Sequence, residues 1–152
     1  MIKLTFYFEL PLEEVRTKKI KPNEGEVLII DDWGERSILI VEDHEPSYLY
    51  MKRILEKTQV NVVHAENANK AIRKVMNGEY FDLILMDIRT PEGNGIEATR
   101  KIKEKHPDVR IVAQTAYAMQ EDQQRCMDAG CDDYLVKPFT KDQLLSVLDK
   151  FL

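Results

Sequence analysis

From residue 37 onward the apolar positions fall into two alternating patterns. Short continuous apolar runs occur at Ile38–Val41, Val60–Val63, residues 82–86, residues 110–114 and residues 133–136. Runs of this length without polar alternation predict strands covered on both faces. Between them lie stretches of helical period. Pro46 to Lys57 has apolar residues at 48, 49, 51, 54 and 55, and Asn67 to Asn77 places Ala68, Ala71, Ile72 and Val75 on one side. Gly95 to Lys105, Met119 to Ala129 and Thr140 to Phe151 complete the set, the last with Leu144, Leu145, Val147, Leu148 and Phe151 inward. Gly78 and Gly130 follow two of these helices as end signals, His106-Pro107 closes a third, and Thr140 is the cap of the last. Five strand–helix units in succession predict a parallel sheet with helices on both faces, joined by right-handed crossovers.

Residues before 37 read differently. Ile2 to Leu10 is rich in aromatic and β-branched types and predicts a strand that Pro11 ends. Residues 11–26 mix charges with two prolines and a glycine and show no period, so they predict a linker. Val27 to Asp31 is a second short apolar run, assignable either to an extra strand of the main sheet or to the tether, and residues 32–36 read as a turn. The expected organisation is therefore a remnant strand at 1–12, a linker at 13–36 and a domain at 37–152.

With 152 residues, 43% apolar and 32% charged, the chain is of globular type, and no apolar run approaches a membrane span. Residues 1–3 do not open a signal peptide, because charged residues and prolines interrupt any apolar region. The net charge of −5 argues against a nucleic-acid surface and fits a module that holds a cation. Cys126 and Cys131 have no His or Cys neighbours to complete a zinc site and read as reduced packing thiols, which fits a cytoplasmic location. His44, His64 and His106 read as surface or cap residues.

Candidate chemistry lies where the strands end. In a parallel sheet the carboxyl ends share one rim, so Glu42-Asp43, Asp87, Thr115 and Lys137 project toward one place. Singly, each has an ordinary reading as a strand end, turn or cap. Together they are three carboxylates, a hydroxyl and an ammonium. Three carboxylates repel unless a cation sits among them, and a hard divalent ion such as Mg²⁺ suits oxygen ligands. A carboxylate is also a competent nucleophile toward phosphorus. Lys137, the Thr115 hydroxyl and the backbone N–H groups after Asp87 and Thr115 (Ala116 among them) can neutralise the oxygens of a transferring phosphoryl group. Pro138 follows the lysine at a position where a cis peptide is allowed.

These stretches resemble the response-regulator receiver domain of two-component signalling over residues 37–152. The resemblance rests on ILIVEDHE with its acidic pair, LILMDIRTPEGNG with the acceptor, IVAQTAYAM with the hydroxyl, and AGCDDYLVKPF with the lysine and following proline. It implies a flavodoxin-like (βα)5 three-layer sandwich with strand order 2-1-3-4-5, preceded by an N-terminal extension. It implies Asp87 as phosphoacceptor, Glu42 and Asp43 with Asp87 as Mg²⁺ ligands, and the backbone carbonyl of Arg89 as a further ligand. It also implies Thr115 as switch hydroxyl, Tyr134 as switch aromatic and Lys137 as phosphate-binding lysine. Thr90 and Gly93 depart from the methionines usual at those positions, so the loop after Asp87 is expected to pack less firmly on the neighbouring helix. Arg89 and Tyr117 are placed to gate water at the phosphate.

Residues 3–12 (KLTFYFELPL) resemble the last strand of a histidine-kinase ATP-binding domain. In that order, strand, linker and receiver suggest the receiver of a hybrid histidine kinase whose parent can be membrane-anchored. The ATP-site motifs themselves are absent from this sequence, so any enzymatic activity expected of it is its own phosphorylation and dephosphorylation. The implied partners are a histidine kinase donor and a histidine phosphotransfer protein, with no nucleic acid and no direct membrane contact. No DNA-binding segment follows Leu152 in this sequence, so output by protein contact is expected, with a homodimer through the fourth helix and fifth strand as one form. The Tyr48-Leu49-Tyr50-Met51 run offers more apolar faces than one core needs and suggests a docking surface beside the rim. Three alternatives are a stand-alone response regulator, an aspartyl-phosphate phosphohydrolase and a flavodoxin-like cofactor binder. The phosphohydrolase would want an acid/base Asp at position 89, where Arg stands. The cofactor binder would want a phosphate loop where Glu42-Asp43-His44-Glu45-Pro46 stands.

Overall fold

The structure, a computed structural model, describes residues 19–23, 26–30 and 32–152, and the chain divides into two compact units between Asp32 and Trp33. In the first unit β1 (Lys19–Asn23) and β2 (Glu26–Ile30) pair antiparallel, with Asn23 opposite Glu26. The linker expectation thus gives way to a hairpin over part of 13–36. The apolar run Val27–Ile30 finds its partner in the preceding segment and not in the main sheet. The strand expected at Ile2–Leu10 lies outside the described residues.

The second unit carries five strands: β3 (Ser37–Val41), β4 (Asn61–Ala65), β5 (Leu83–Asp87), β6 (Arg110–Thr115) and β7 (Asp133–Val136). All pair in parallel, in the spatial order β4-β3-β5-β6-β7. The helices between and after them are α1 (Glu45–Glu56), α2 (Ala68–Met76), α3 (Gly95–Lys105), α4 (Gln120–Asp128) and α5 (Lys141–Asp149). This is the flavodoxin-like order 2-1-3-4-5, and every element expected from the pattern is present with ends shifted by a residue or two.

Strand pleating divides the core in two. Leu39 and Val41 of β3, Ile84 and Met86 of β5, and Ile111 and Ala113 of β6 pack with Ala71, Ile102 and Cys126 from α2, α3 and α4. Ile38 and Ile40, Leu83 and Leu85, and Val112 point the other way, onto Met51, Leu55, Leu144 and Leu148 of α1 and α5. Both faces are covered, which explains the unbroken apolar runs. Cap chemistry fixes the helix starts: Asn67 and Asn94 accept from the backbone N–H groups of Lys70 and Ile96, and Thr140 and Gln143 form a reciprocal capping box. No described helix is long and apolar enough to cross a membrane.

The compact unit begins at Trp33 and not at residue 37. The Trp33 side chain is buried on the α1/α5 face, and the Trp33 backbone N–H donates to the Thr58 carbonyl at 2.8 Å. Residues 33–36 therefore belong with the domain, because a large apolar ring close to a sheet gains more by packing than by tethering.

Candidate functional site

The carboxyl ends of β3, β5 and β7 bring four side chains together. Glu42 continues the ladder one residue past β3, its N–H donating to the Ala65 carbonyl at 3.0 Å, and its side chain is almost fully buried. Asp43, one residue on, is exposed. Asp87 ends β5 opposite Gln114 and is buried. Ligand oxygens of Glu42, Asp43 and Asp87 lie within 4.8 Å of one another.

Lys137, the first residue after β7, answers this charge. Its Nζ donates to Glu42 Oε2 at 2.6 Å and to Asp87 Oδ2 at 3.1 Å. The Lys137 N–H is held by the Thr115 carbonyl at 2.7 Å, and the Lys137–Pro138 peptide is cis. Desolvation works to lower the Lys137 pKa, but the carboxylates of Glu42 and Asp87 outweigh it and raise it, so the ammonium is secure. Burial pushes the Asp87 carboxyl up, against the opposing pull of the Arg89 N–H and Lys137. One ammonium thus leaves the buried Asp87 carboxylate under-compensated beside two other acids. That donor set, all hard oxygen with one member exposed to solvent, fits Mg²⁺.

The second oxygen of Asp87, Oδ1, accepts from the Arg89 backbone N–H at 2.9 Å. Arg89 itself is exposed, bridges to Asn94, and lays its guanidinium over the Tyr117 ring, 4.2 Å from the centroid. Thr115 is buried at the end of β6, but its hydroxyl is committed to its own loop: it donates to the Tyr117 carbonyl at 3.2 Å and accepts from the Tyr117 N–H at 3.1 Å. Ala116 is exposed, and Tyr134 is half-buried against the α2–α4 face of the core. The carboxylates and lysine are therefore assembled, whereas the hydroxyl bonds to the Tyr117 backbone and the aromatic packs against the core.

The loop after Asp87 is better anchored than its composition implied. Thr90 Oγ1 accepts from the Ala68 N–H at 3.2 Å and donates to the Gly93 carbonyl at 2.9 Å. Asn67 Nδ2 donates to Glu92 Oε2 at 3.1 Å. The oxygen at position 90 replaces apolar packing with hydrogen bonds to the first turn of α2, whose N–H groups lack helical partners. Gly93 takes φ +96°, a value that favours glycine.

Other residues emerge only in three dimensions. Gly95 has no room for a Cβ, which would sit 2.4 Å from the Asp87 carbonyl oxygen. His64, read as a surface residue, is half-buried: it stacks on Tyr48 at 3.8 Å, and its Nε2 lies 2.8 Å from the Glu42 carbonyl oxygen. His44 precedes α1 and pairs with Ser47. Cys126 and Cys131 are both buried free thiols, as expected of packing residues. Leu49 and Tyr50 are exposed on α1 beside the rim.

Residues 38–149 match the family model for the response regulator receiver domain. Among curated proteins the chain is 30% identical to the hybrid signal transduction histidine kinase L of Dictyostelium discoideum, over 75% of this chain but 7% of that protein. It is 29% identical to the polar-differentiation response regulator DivK of Brucella ovis, over 77% of this chain and 96% of that protein. Among solved structures it matches the receiver domain of the sensor histidine kinase PA1611 from Pseudomonas aeruginosa PAO1, which has a magnesium ion in its active-site cleft, with a TM-score of 0.70 and 34% identity over 76% of this chain and 96% of that one. The chain thus spans a small fraction of the kinase relative and nearly all of DivK.

Proposed function

This chain belongs to the response regulator receiver family, and we propose that within a two-component phosphorelay it accepts a phosphoryl group on Asp87 and passes it to a histidine phosphotransfer protein, as the receiver of a hybrid histidine kinase. The observation that carries this reading is the single ammonium of Lys137 shared between two buried carboxylates, Glu42 and Asp87, with Asp43 beside them at the solvent edge.

In the proposed reaction an Asp87 carboxylate oxygen attacks the phosphorus of a donor phosphohistidine. The O–P bond forms as the N–P bond breaks, and the imidazole leaves with the nitrogen electron pair. The same steps in reverse, toward a second histidine, return a free carboxylate. Glu42, Asp43 and Asp87, with the Arg89 carbonyl, would hold Mg²⁺, whose chemistry there is to neutralise charge on a phosphoryl oxygen. Lys137 neutralises a second oxygen after releasing its bond to Asp87. The Ala116 N–H and the Thr115 hydroxyl serve the third, the hydroxyl exchanging its bonds to Tyr117 for the phosphate. Tyr134 then turns into the space Thr115 leaves, which alters the α4–β7 face and with it the contacts open to a partner or a second copy. Pro138 sets the direction of the Lys137 backbone.

The hybrid-kinase origin draws on the kinase L relative and on the KLTFYFELPL stretch. A stand-alone regulator is the second reading, favoured by the near-complete span of DivK. The exposed Leu49 and Tyr50 beside the rim suit the docking of a partner helix in either case.

Incubation with Mg²⁺ and acetyl phosphate should add one phosphoryl group, read by intact mass. Persistence of the adduct in Asp87→Asn would overturn the assignment of the acceptor. Transfer of the phosphoryl group onward to the histidine of a phosphotransfer protein, and its failure, separates the relay reading from the stand-alone one. Trp33 is a poor reporter of the reaction. It precedes β3, so a strand length of about 16 Å separates it from the rim.

A further inference from the structure

The loop after β5 is clamped on both sides of one peptide. The Arg89 carbonyl belongs to the Arg89–Thr90 peptide, so its direction follows from how those two residues are held. Arg89 is held on the acceptor side: its N–H donates to Asp87 Oδ1 at 2.9 Å, and it forms an antiparallel bridge with Asn94. Thr90 is held on the other side, by α2. Its Oγ1 accepts from the Ala68 N–H at 3.2 Å and donates to the Gly93 carbonyl at 2.9 Å. Ala68 is the first residue of α2, so its N–H has no helical partner, and it is fully buried, so water has no access to that N–H. The loop lies close on the start of α2 further along as well. A Cβ on Gly93 would sit 2.8 Å from Asn69 Oδ1, and Asn67 Nδ2 donates to Glu92 Oε2 at 3.1 Å. Thr90 supplies the tie nearest the Arg89 carbonyl.

We propose, resting on the reading of Glu42, Asp43, Asp87 and the Arg89 carbonyl as Mg²⁺ ligands, that Thr90 is a positioning residue for that site. Its hydroxyl fixes the Arg89–Thr90 peptide against α2, so the carbonyl is ordered before any ion arrives. The entropy of ordering this peptide is then met on folding and not on binding. Thr90 is itself no ligand and acts through its neighbour. The methionine usual at this position in receivers could not make this pair of bonds, because its thioether donates nothing. Serine keeps the oxygen of threonine, whereas valine keeps the shape and offers neither donor nor acceptor. With valine the buried Ala68 N–H is left without a partner, and the loop or the start of α2 must move to supply one.

The test is a titration of the isotope-labelled full chain with Mg²⁺, followed through the Arg89 carbonyl carbon resonance. Thr90→Val should weaken Mg²⁺ binding roughly tenfold, the low end for losing an outer partner of a metal ligand. Thr90→Ser should restore the parent affinity. In the metal-free protein the Ala68 amide should exchange with solvent faster in Thr90→Val than in the parent or in Thr90→Ser, which reads the tie without any metal. Urea denaturation shows whether each variant is folded, and Thr90→Ala replaces Thr90→Val if that one is not. Equal Mg²⁺ affinity in folded Thr90→Val and the parent would overturn the positioning role while leaving the metal site in place. Thr90→Ser binding as weakly as Thr90→Val would do the same, and an Ala68 amide that exchanges alike in all three would remove the tie itself. A parent chain that takes up no Mg²⁺ would remove the metal reading and this proposal with it.

Discussion

The Arg89 guanidinium lies over the Tyr117 ring, 4.2 Å from its centroid, and joins the loop after β5 to the loop after β6 beside Asp87. Arg89 also anchors Asp87 through its backbone N–H, so the stack and the acceptor share one residue. An exposed cation–π contact is worth only about 0.5–1 kcal/mol. Its proposed consequence is coverage: two bulky side chains beside Asp87 would hinder the approach of water to a phosphoryl group there. Arg89→Ala and Tyr117→Ala should each shorten the lifetime of the phosphorylated form, by roughly tenfold at most. The double variant should be little faster than either single one, because both remove the same cover. Decay of radiolabelled phosphoprotein gives the rates, and unchanged lifetimes in both single variants would remove the gating role.

Lys137→Ala should expose the dependence of the site on one ammonium. Glu42 is almost completely buried and would lose its cation, at a cost on the order of 3 kcal/mol. The same change removes a positive charge that competes with a metal. Mg²⁺ should therefore stabilise the variant more than the parent, as ligand binding to the native state does. Chemical denaturation with and without Mg²⁺ reads both effects. Asp43→Asn, at an exposed position, should lower Mg²⁺ affinity with little change in metal-free stability. Equal Mg²⁺ affinity in Asp43→Asn and the parent would exclude Asp43 as a ligand.

Topology accounts for what the sequence made legible. Strand ends converge in any parallel sheet, so Glu42, Asp43, Asp87 and Lys137 could be placed together from the order of apolar runs alone. What stayed hidden depends on distances that no pattern encodes. Trp33 reads as part of a turn because Asp31-Asp32 and Gly34-Glu35-Arg36 flank it. Gln114 reads as an ordinary strand residue, and only the missing partners of its buried amide single it out. Thr90 looked like a loosened loop, yet its oxygen finds the unpaired first turn of α2. The β1–β2 pairing was masked by Pro22 and by the two lysines of its first strand. Each miss concerns a pairwise contact between segments far apart in the chain or across a turn, whereas each success rests on local periodicity.

Asp87→Asn should stabilise the metal-free protein while abolishing acceptance. Burial raises the native pKa of Asp87, so the ionised carboxyl is less favourable in the fold than in the unfolded chain. The relative stability conferred by the protonated group is fully present below the ordinary carboxyl pKa and is lost as pH rises through the raised native value. At neutral pH the variant, which cannot ionise there, should melt about 3 °C above the parent. That gain should fade as the pH is lowered and reverse in saturating Mg²⁺, which binds the parent more tightly. Melting curves at several pH values with a chelator present test this, and a lower melting temperature for the variant at neutral pH would contradict it.

Gly95→Ala tests how closely α3 must approach the acceptor strand. An added Cβ would lie 2.4 Å from the Asp87 carbonyl oxygen and 2.6 Å from the Ile88 Cα. Both neighbours are backbone, so no side-chain rotation relieves the clash, and either the end of β5 or the start of α3 must move. Gly95 is helical with Asn94 as its cap, so alanine would otherwise favour the helix by about 1 kcal/mol. A stability loss, on the order of 2 kcal/mol, therefore isolates the steric cost. Displacement of β5 would also shift the Asp87 carboxylate from Lys137, so phosphorylation by acetyl phosphate should slow even where the variant remains folded. Urea denaturation and the initial rate of phosphoryl uptake measure the two consequences separately. A variant as stable and as fast as the parent would mean that α3 and β5 tolerate separation.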